Sequence, residues 1–472
     1  MPNASGRGRR RACLAATAIL LLVVVDGVAP PGVASAAPIS QRWLTLFDRG
    51  NSATASGISP DGSTVFVTGS GGGRRSGGDY LTVAYDAVTG KDRWVGRYDG
   101  PAGMFDGATA LGVSPDGSRV FVTGGSVAAN GAPDLATVAY DSSTGAEVWA
   151  ARYGRLLEKD VAVAVALATS ADGSVVFVTG QTQGARGNRS VTIAYEAAGG
   201  RRLWVAPRGG ETLISSLDVS ADGSIVFISG GSGVSYSEHF VTVAYDAATG
   251  AQMWMRRYRP GIAGYAEAVG VSPDGSTVFV TGHSFAGTFT DSDADSDYGY
   301  ATVAYEAATG TQLWVARFDG LGHESDWGRA LDVSPDGSMV FVTGEAQGQS
   351  SPDYATVAYD AETGAEQWVA WYAGSISQDG AVAVLVSPDG SEVFVTGTSW
   401  GEVSLDWATV AYDAAMGAEL WVDRYDGPVG FHDFANSLAI SRDGSTLFVT
   451  GTSTWPPPSY ASAHVTIAYD VG

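Results

Sequence analysis

Apolar and polar positions recur along this chain in blocks, and each block resolves into four short runs. In the sixth block, Ala330–Val333 alternates and Ser334-Pro335-Asp336-Gly337 turns. Met339–Thr343 is β-branched and aromatic, and after a loop so is Ala355–Tyr359. Asp360–Gly364 turns again, and Glu366–Tyr372 closes the block. Such runs, bounded by turn residues, predict strands. Pro at the second turn position fixes φ, and Gly two residues later accepts positive φ, so the turn has a mechanism. No segment carries a sustained helical period.

The turn string opens at Ser59, Ser114, Ser170, Ser220, Ser272, Ser334, Ser387 and Ser441. A second string, Thr-Val-Ala-Tyr with small variations, ends at Tyr85, Tyr140, Tyr195, Tyr245, Tyr305, Tyr359, Tyr412 and Tyr469. After all but the last of these stands a tryptophan at fixed distance, from Trp94 to Trp421. Eight copies of four antiparallel strands predict an all-β fold, an eight-bladed β-propeller. The last copy stops at Gly472 without its tryptophan run. The missing piece stands at the other end: Arg42–Phe47 resembles Leu313–Phe318. The N-terminal strand is therefore expected to join the last blade and close the ring. The first run of a block is often built of small residues, as in Ala108–Gly112 and Ala381–Val384, which suits a strand crowded against a central axis. A ring also suits the length, because each blade packs only on its neighbours.

Composition adds an address and excludes some partners. Arg7, Arg9, Arg10 and Arg11 precede an apolar run, Ala12–Val25, and Ala34-Ser35-Ala36 offers a small-residue cleavage site. Residues 1–36 thus read as a secretory signal peptide, too short for a membrane span, with residues 37–472 as one propeller domain. Arg9-Arg10 leaves general and twin-arginine export both open. Cleavage removes the one cysteine, Cys13, and leaves 23 basic against 49 acidic residues. The expected product is a secreted acidic monomer without disulfides, and its charge argues against nucleic acid as a partner.

The segment Ala358–Trp368 reads Ala-Tyr-Asp-Ala-Glu-Thr-Gly-Ala-Glu-Gln-Trp and recurs in seven copies, with Glu for Asp at Glu196 and Glu306. It resembles the tryptophan docking motif of the PQQ-like repeats of quinoprotein alcohol dehydrogenases. The resemblance implies that the tryptophan strand is outermost and that its indole wedges between blades. Those enzymes also use an adjacent cysteine pair and long inserted loops around the quinone. Here the pair is missing and every repeat is close to minimal, so PQQ is not expected as a cofactor.

The Ser-Pro-Asp-Gly and Asp-x-x-Thr-Gly turns barely vary and should share one face. The remaining loops vary in length and should share the other, where sites tend to sit. Two residue sets stand there. Asn51, Asp106, Asp326, Asp379 and Asp433 occupy one repeat position; Asp79, Asp134, Asp353 and Asp406 occupy another. They read either as loop caps or as a rim for a cation or polar ligand. Trp327, Trp400, Trp407 and Trp455 fall outside the docking series, all in the last three blades. They read either as platforms beside carboxylates, suited to carbohydrate, or as packing for long loops. A third string, Asp291, Asp293 and Asp295 in the longest loop, resembles the opening of a calcium loop without its later ligands; the alternative is a solvated acidic tip. The expectation is a binding protein for carbohydrate or a partner protein on the variable face. The alternatives are a glycan hydrolase or lyase with acidic residues at the channel mouth, and a PQQ-dependent dehydrogenase.

Overall fold

The computed structural model describes residues 39–48, 50–72, 77–154, 161–184, 187–208, 212–232, 239–259, 261, 263–285, 298–321, 325–374, 378–456 and 461–472. The leader, the Asp291–Asp297 string, His323 and Tyr460 lie outside them. The strands form eight four-stranded antiparallel sheets, each a meander of strands A to D. Blade 1 runs from Gly50 to Tyr98, and blade 6 from Trp327 to Tyr372. Blade 8 takes A, B and C from Asp433–Ile440, Thr446–Thr454 and Ser462–Asp470. Its D strand is Ser40–Phe47, which pairs antiparallel with Ser462–Asp470. The expected closure is therefore present. The A strand of every blade lies against the A strands of its two neighbours, so the eight surround a common axis.

Burial explains the pattern of residues. Strands B and C are flanked by a blade on each face, so their Val-Phe-Val and Val-Ala-Tyr runs are buried almost throughout. Strand D faces a neighbour on one side only and alternates, as in Glu366–Tyr372. The apolar clusters lie at the seams: one joins Phe341, Tyr354 and Trp368 of blade 6 to Val393, Val395 and Val410 of blade 7. Within a sheet, threonines of strands B and C meet by hydroxyl contacts, as in Thr343 and Thr356 at 2.9 Å.

At each seam an indole packs on the next blade. Trp314 Nε1 donates to Ala361 O at 2.9 Å, and its ring lies over Gly364. Gly364 holds φ +72°, and a Cβ there would sit 2.6 Å from the indole, so conformation and contact both demand glycine. The closing strand repeats the arrangement: Trp43 Nε1 donates to Ala87 O at 2.9 Å. Arg42 Nε donates to Asp470 Oδ1 at 2.6 Å, the counterpart of Arg93 with Asp86 in blade 1.

Two carboxylates occupy the same repeat position on the strands around the axis. Asp218 accepts from Val219 N and Val271 N; Asp332 accepts from Val333 N and Val386 N. Both residues are half-buried, and burial pushes each carboxyl up to about 6. A raised carboxyl pKa means that the native state binds more protons than the unfolded chain between pH about 4 and 6. Stability should therefore fall as pH rises through that window, by about 1–3 kcal/mol per group. Blades 3 and 8 carry Ala168 and Ala439 at this position, so Asp332→Ala should fold. Melting temperatures recorded from pH 4 to 7.5 should decline less steeply for the variant than for the parent chain. Equal slopes would refute the assignment.

Candidate functional site

Every A strand carries a bulged residue near its start, at the end that meets the variable loops, and that of blade 1 carries two. Four of these residues tie one blade to the next. Thr54 Oγ1 donates to Ala108 O at 2.9 Å, Thr109 Oγ1 to Ala164 O at 2.8 Å, Ser215 Oγ to Ala266 O at 2.6 Å, and Asn436 Nδ2 to Ala53 O at 2.7 Å. Blade 3 has Val165 at the bulge and reaches the same acceptor position, Ile214 O, with Gln181 Nε2 at 2.9 Å. Blades 5 and 6 depart from the rule by placing charges there, Glu267 and Arg329.

Around these two charges lies a mixed cluster. Arg329 stands between carboxylates, 3.7 Å from Glu267 and 3.4 Å from Glu345. Its guanidinium lies 5.3 Å from the Trp327 ring centroid, where the indole quadrupole favours a cation. Trp327 packs on His283 at 4.1 Å and stacks on Tyr298 at 5.5 Å. Tyr265 also stacks on His283, at 6.0 Å. Burial holds His283 down to about 3, so the imidazole is neutral at physiological pH, and burial raises Glu267. His283 Nδ1 lies 3.6 Å from a Glu267 oxygen, beyond a hydrogen bond. The cluster offers a surface guanidinium, two carboxylates and an aromatic wall, which are the groups of a recognition site. Of its members only Trp327 was singled out from the sequence. The usable signal was the break in the small, neutral first strand at Glu267 and Arg329.

The other expected residues do different work. Asp326 accepts from Gly320 N at 2.6 Å and Gln347 N at 2.7 Å. Asp379 accepts from Gly374 N at 2.5 Å and Trp400 N at 2.9 Å. Both carboxylates are buried and fasten the loop between two blades. Burial, with Asp319 alongside, raises Asp326 well above the usual carboxylate range. Asp433 accepts from Gly427 N at 2.7 Å in the same way. Trp400 is half-buried and lies edge-on to His432 at 6.4 Å. Trp455 is half-buried in a loop, its backbone N–H donating to Ala461 O at 2.9 Å. Trp407 corrects the reading that it stands on the variable face. It is fully buried, packed on Tyr425 at 4.7 Å and against Gly451. The strand alternation puts it at the position of Tyr300 and Tyr354, which faces the seam.

The family model described as outer membrane protein assembly factor BamB matches residues 34–239 and 237–454. No curated protein matches the chain. BamB from Moraxella catarrhalis is similar in structure, with 15% identity, TM-score 0.54, 92% of this chain covered and 100% of that one. Sqt1 from Chaetomium thermophilum, bound to the N-terminus of ribosomal protein L10, is similar with 14% identity, TM-score 0.61 and coverage of 92% and 100%. Quinohemoprotein alcohol dehydrogenase from Comamonas testosteroni is similar with 15% identity, TM-score 0.59 and coverage of 92% and 76%. At these identities the likeness is one of fold. With both halves of the propeller matched by one model, the chain belongs to the family described as outer membrane protein assembly factor BamB.

Proposed function

We propose that this chain is a secreted scaffold that binds a partner protein on its variable-loop face. The observation that carries the reading is the set of exposed apolar side chains in those loops. Phe105 is 59% exposed, Leu321 66% and Val403 82%, on variable-face loops of different blades. Exposed apolar side chains and charged groups on one face are the makings of a protein interface. The related structures support it: BamB is named as an assembly factor, and Sqt1 was solved with a peptide segment bound. A carbohydrate ligand is less well supported. Trp327 is already engaged by Arg329, Tyr298 and His283, which leaves less of its indole for a sugar to stack on.

The test is site-specific photo-crosslinking in the producing cells, followed by comparison of surface variants. Phe105→Ser with Leu321→Ser and Val403→Ser, and separately Arg329→Glu, should each lower partner recovery at least tenfold with little change in melting temperature. Val88→Ser with Met416→Ser, on the opposite face, should leave recovery unchanged. The reverse pattern would overturn the proposal.

A further inference from the structure

Three seams of the ring carry the same polar trio: a tyrosine at the end of strand D, a serine at the end of the next strand B, and an aspartate at the start of the next strand A. In the seam between blades 1 and 2 these are Tyr98, Ser126 and Asp106; between blades 6 and 7, Tyr372, Ser399 and Asp379. In both, an arginine joins the trio. Arg152 donates to Tyr98 Oη at 2.9 Å and Ser126 Oγ at 2.6 Å. Arg424 donates to Tyr372 Oη at 2.7 Å and Ser399 Oγ at 2.6 Å. In both, the second aspartate oxygen takes a backbone N–H, from Val127 at 3.0 Å and Trp400 at 2.9 Å.

The third seam, between blades 7 and 8, has Tyr425, Ser453 and Asp433 but neither donor. The arginine position belongs to the closing strand and holds Leu46, which points to solvent. The equivalent backbone N–H, of Thr454, donates to His432 O instead. Tyr425 Oη, Ser453 Oγ and Asp433 Oδ1 are consequently buried without a hydrogen bond of good geometry, although Ser453 lies close enough to ease the charge on Asp433. Asp433 is 1% exposed. Two more carboxylates converge there: oxygens of Asp406, Asp426 and Asp433 all lie within 4.8 Å of one another.

We propose that this seam binds a hard divalent cation, calcium in character, through Asp406, Asp426 and Asp433. Oxygen ligands at 2.3–2.6 Å from calcium stand up to about 5 Å apart, which the trio's spacing meets. Oxygen-only donors select calcium or magnesium over softer metals. Three carboxylates less the charge of Arg424, 3.1 Å from Asp406, leave a deficit of two that a divalent ion matches. The related trio Asp79, Asp99 and Asp106 sits in a seam where Asp106 already has two N–H donors and Arg152 is present.

The test is calorimetric titration of calcium chloride into chelator-treated full-length protein, with melting temperatures in parallel. The parent chain should show saturable binding and a rise of several degrees with calcium. Asp426→Asn changes an exposed residue and should weaken the binding at least tenfold. Leu46→Arg installs the side chain that blades 2 and 7 use; it should abolish the calcium response and raise the metal-free melting temperature. Asp99→Asn, in the other acidic trio, should leave the response intact. No binding by the parent chain at millimolar calcium, or equal binding by parent, Asp426→Asn and Leu46→Arg, would overturn the proposal.

Discussion

A chain lacking Ser40–Phe47 is expected to lose its cooperative melting transition near the parent temperature and to associate. The deletion unpairs the edge of Ser462–Asp470, a strand buried almost throughout. It also removes Trp43, which packs on Tyr85 of blade 1 and Phe448 of blade 8 and bonds to Ala87 O. Trp43 is half-buried, and losing a fully buried side chain of its size costs about 3–5 kcal/mol, comparable with the whole stability of many domains. The bare strand edge is also a template for pairing with another chain. Calorimetry and size-exclusion chromatography check both effects. A truncated monomer that melts within a few degrees of the parent would show that the eighth blade closes without this strand.

The second large effect concerns the indole seams. Trp314→Ala should cost about 3–5 kcal/mol, since it empties the space between blades 5 and 6 and strands the carbonyl of Ala361. Gly364→Val should cost a comparable amount from the other side of the same contact. The substitution forces a β-branched residue into φ +72° and drives its Cβ onto the ring of Trp314. Because the two changes damage one contact, the double variant should lose less than the sum of the singles. Chemical denaturation of the three variants reads this coupling directly. Additive losses would mean that Gly364 is needed for its turn alone.

Repetition made the architecture legible. Eight turn serines and eight tyrosines fixed the number of blades, and the stray Trp43 run pointed to its own place beside Tyr469. The site was harder, because a repeat displays what all blades share and a site is what one blade changes. Asp326 and Asp379 stand at a shared position, and the structure gives them a shared task, accepting loop N–H groups. Trp407 looked like a departure but fills a seam position where other blades carry tyrosine. The departures that matter lie at positions whose meaning needs three dimensions. Glu267 and Arg329 sit at a bulge that ties other blades together, and Leu46 stands where five other blades carry arginine. Sequence spacing along one strand cannot reveal that those positions face the bore or the next blade.

The account depends on the N-terminal strand lying in register beside the last one, because closure sets which loops share a face. Leu44 pairs with Ile467 across the two strands, and paired residues of an antiparallel ladder lie within disulfide reach. Mild oxidation of a Leu44→Cys, Ile467→Cys double variant, followed by thiol titration and non-reducing electrophoresis, is the direct measurement. The account predicts loss of both introduced thiols, a faster-migrating cross-linked chain and a higher melting temperature than the reduced form. Two free thiols and unchanged mobility after oxidation would contradict it.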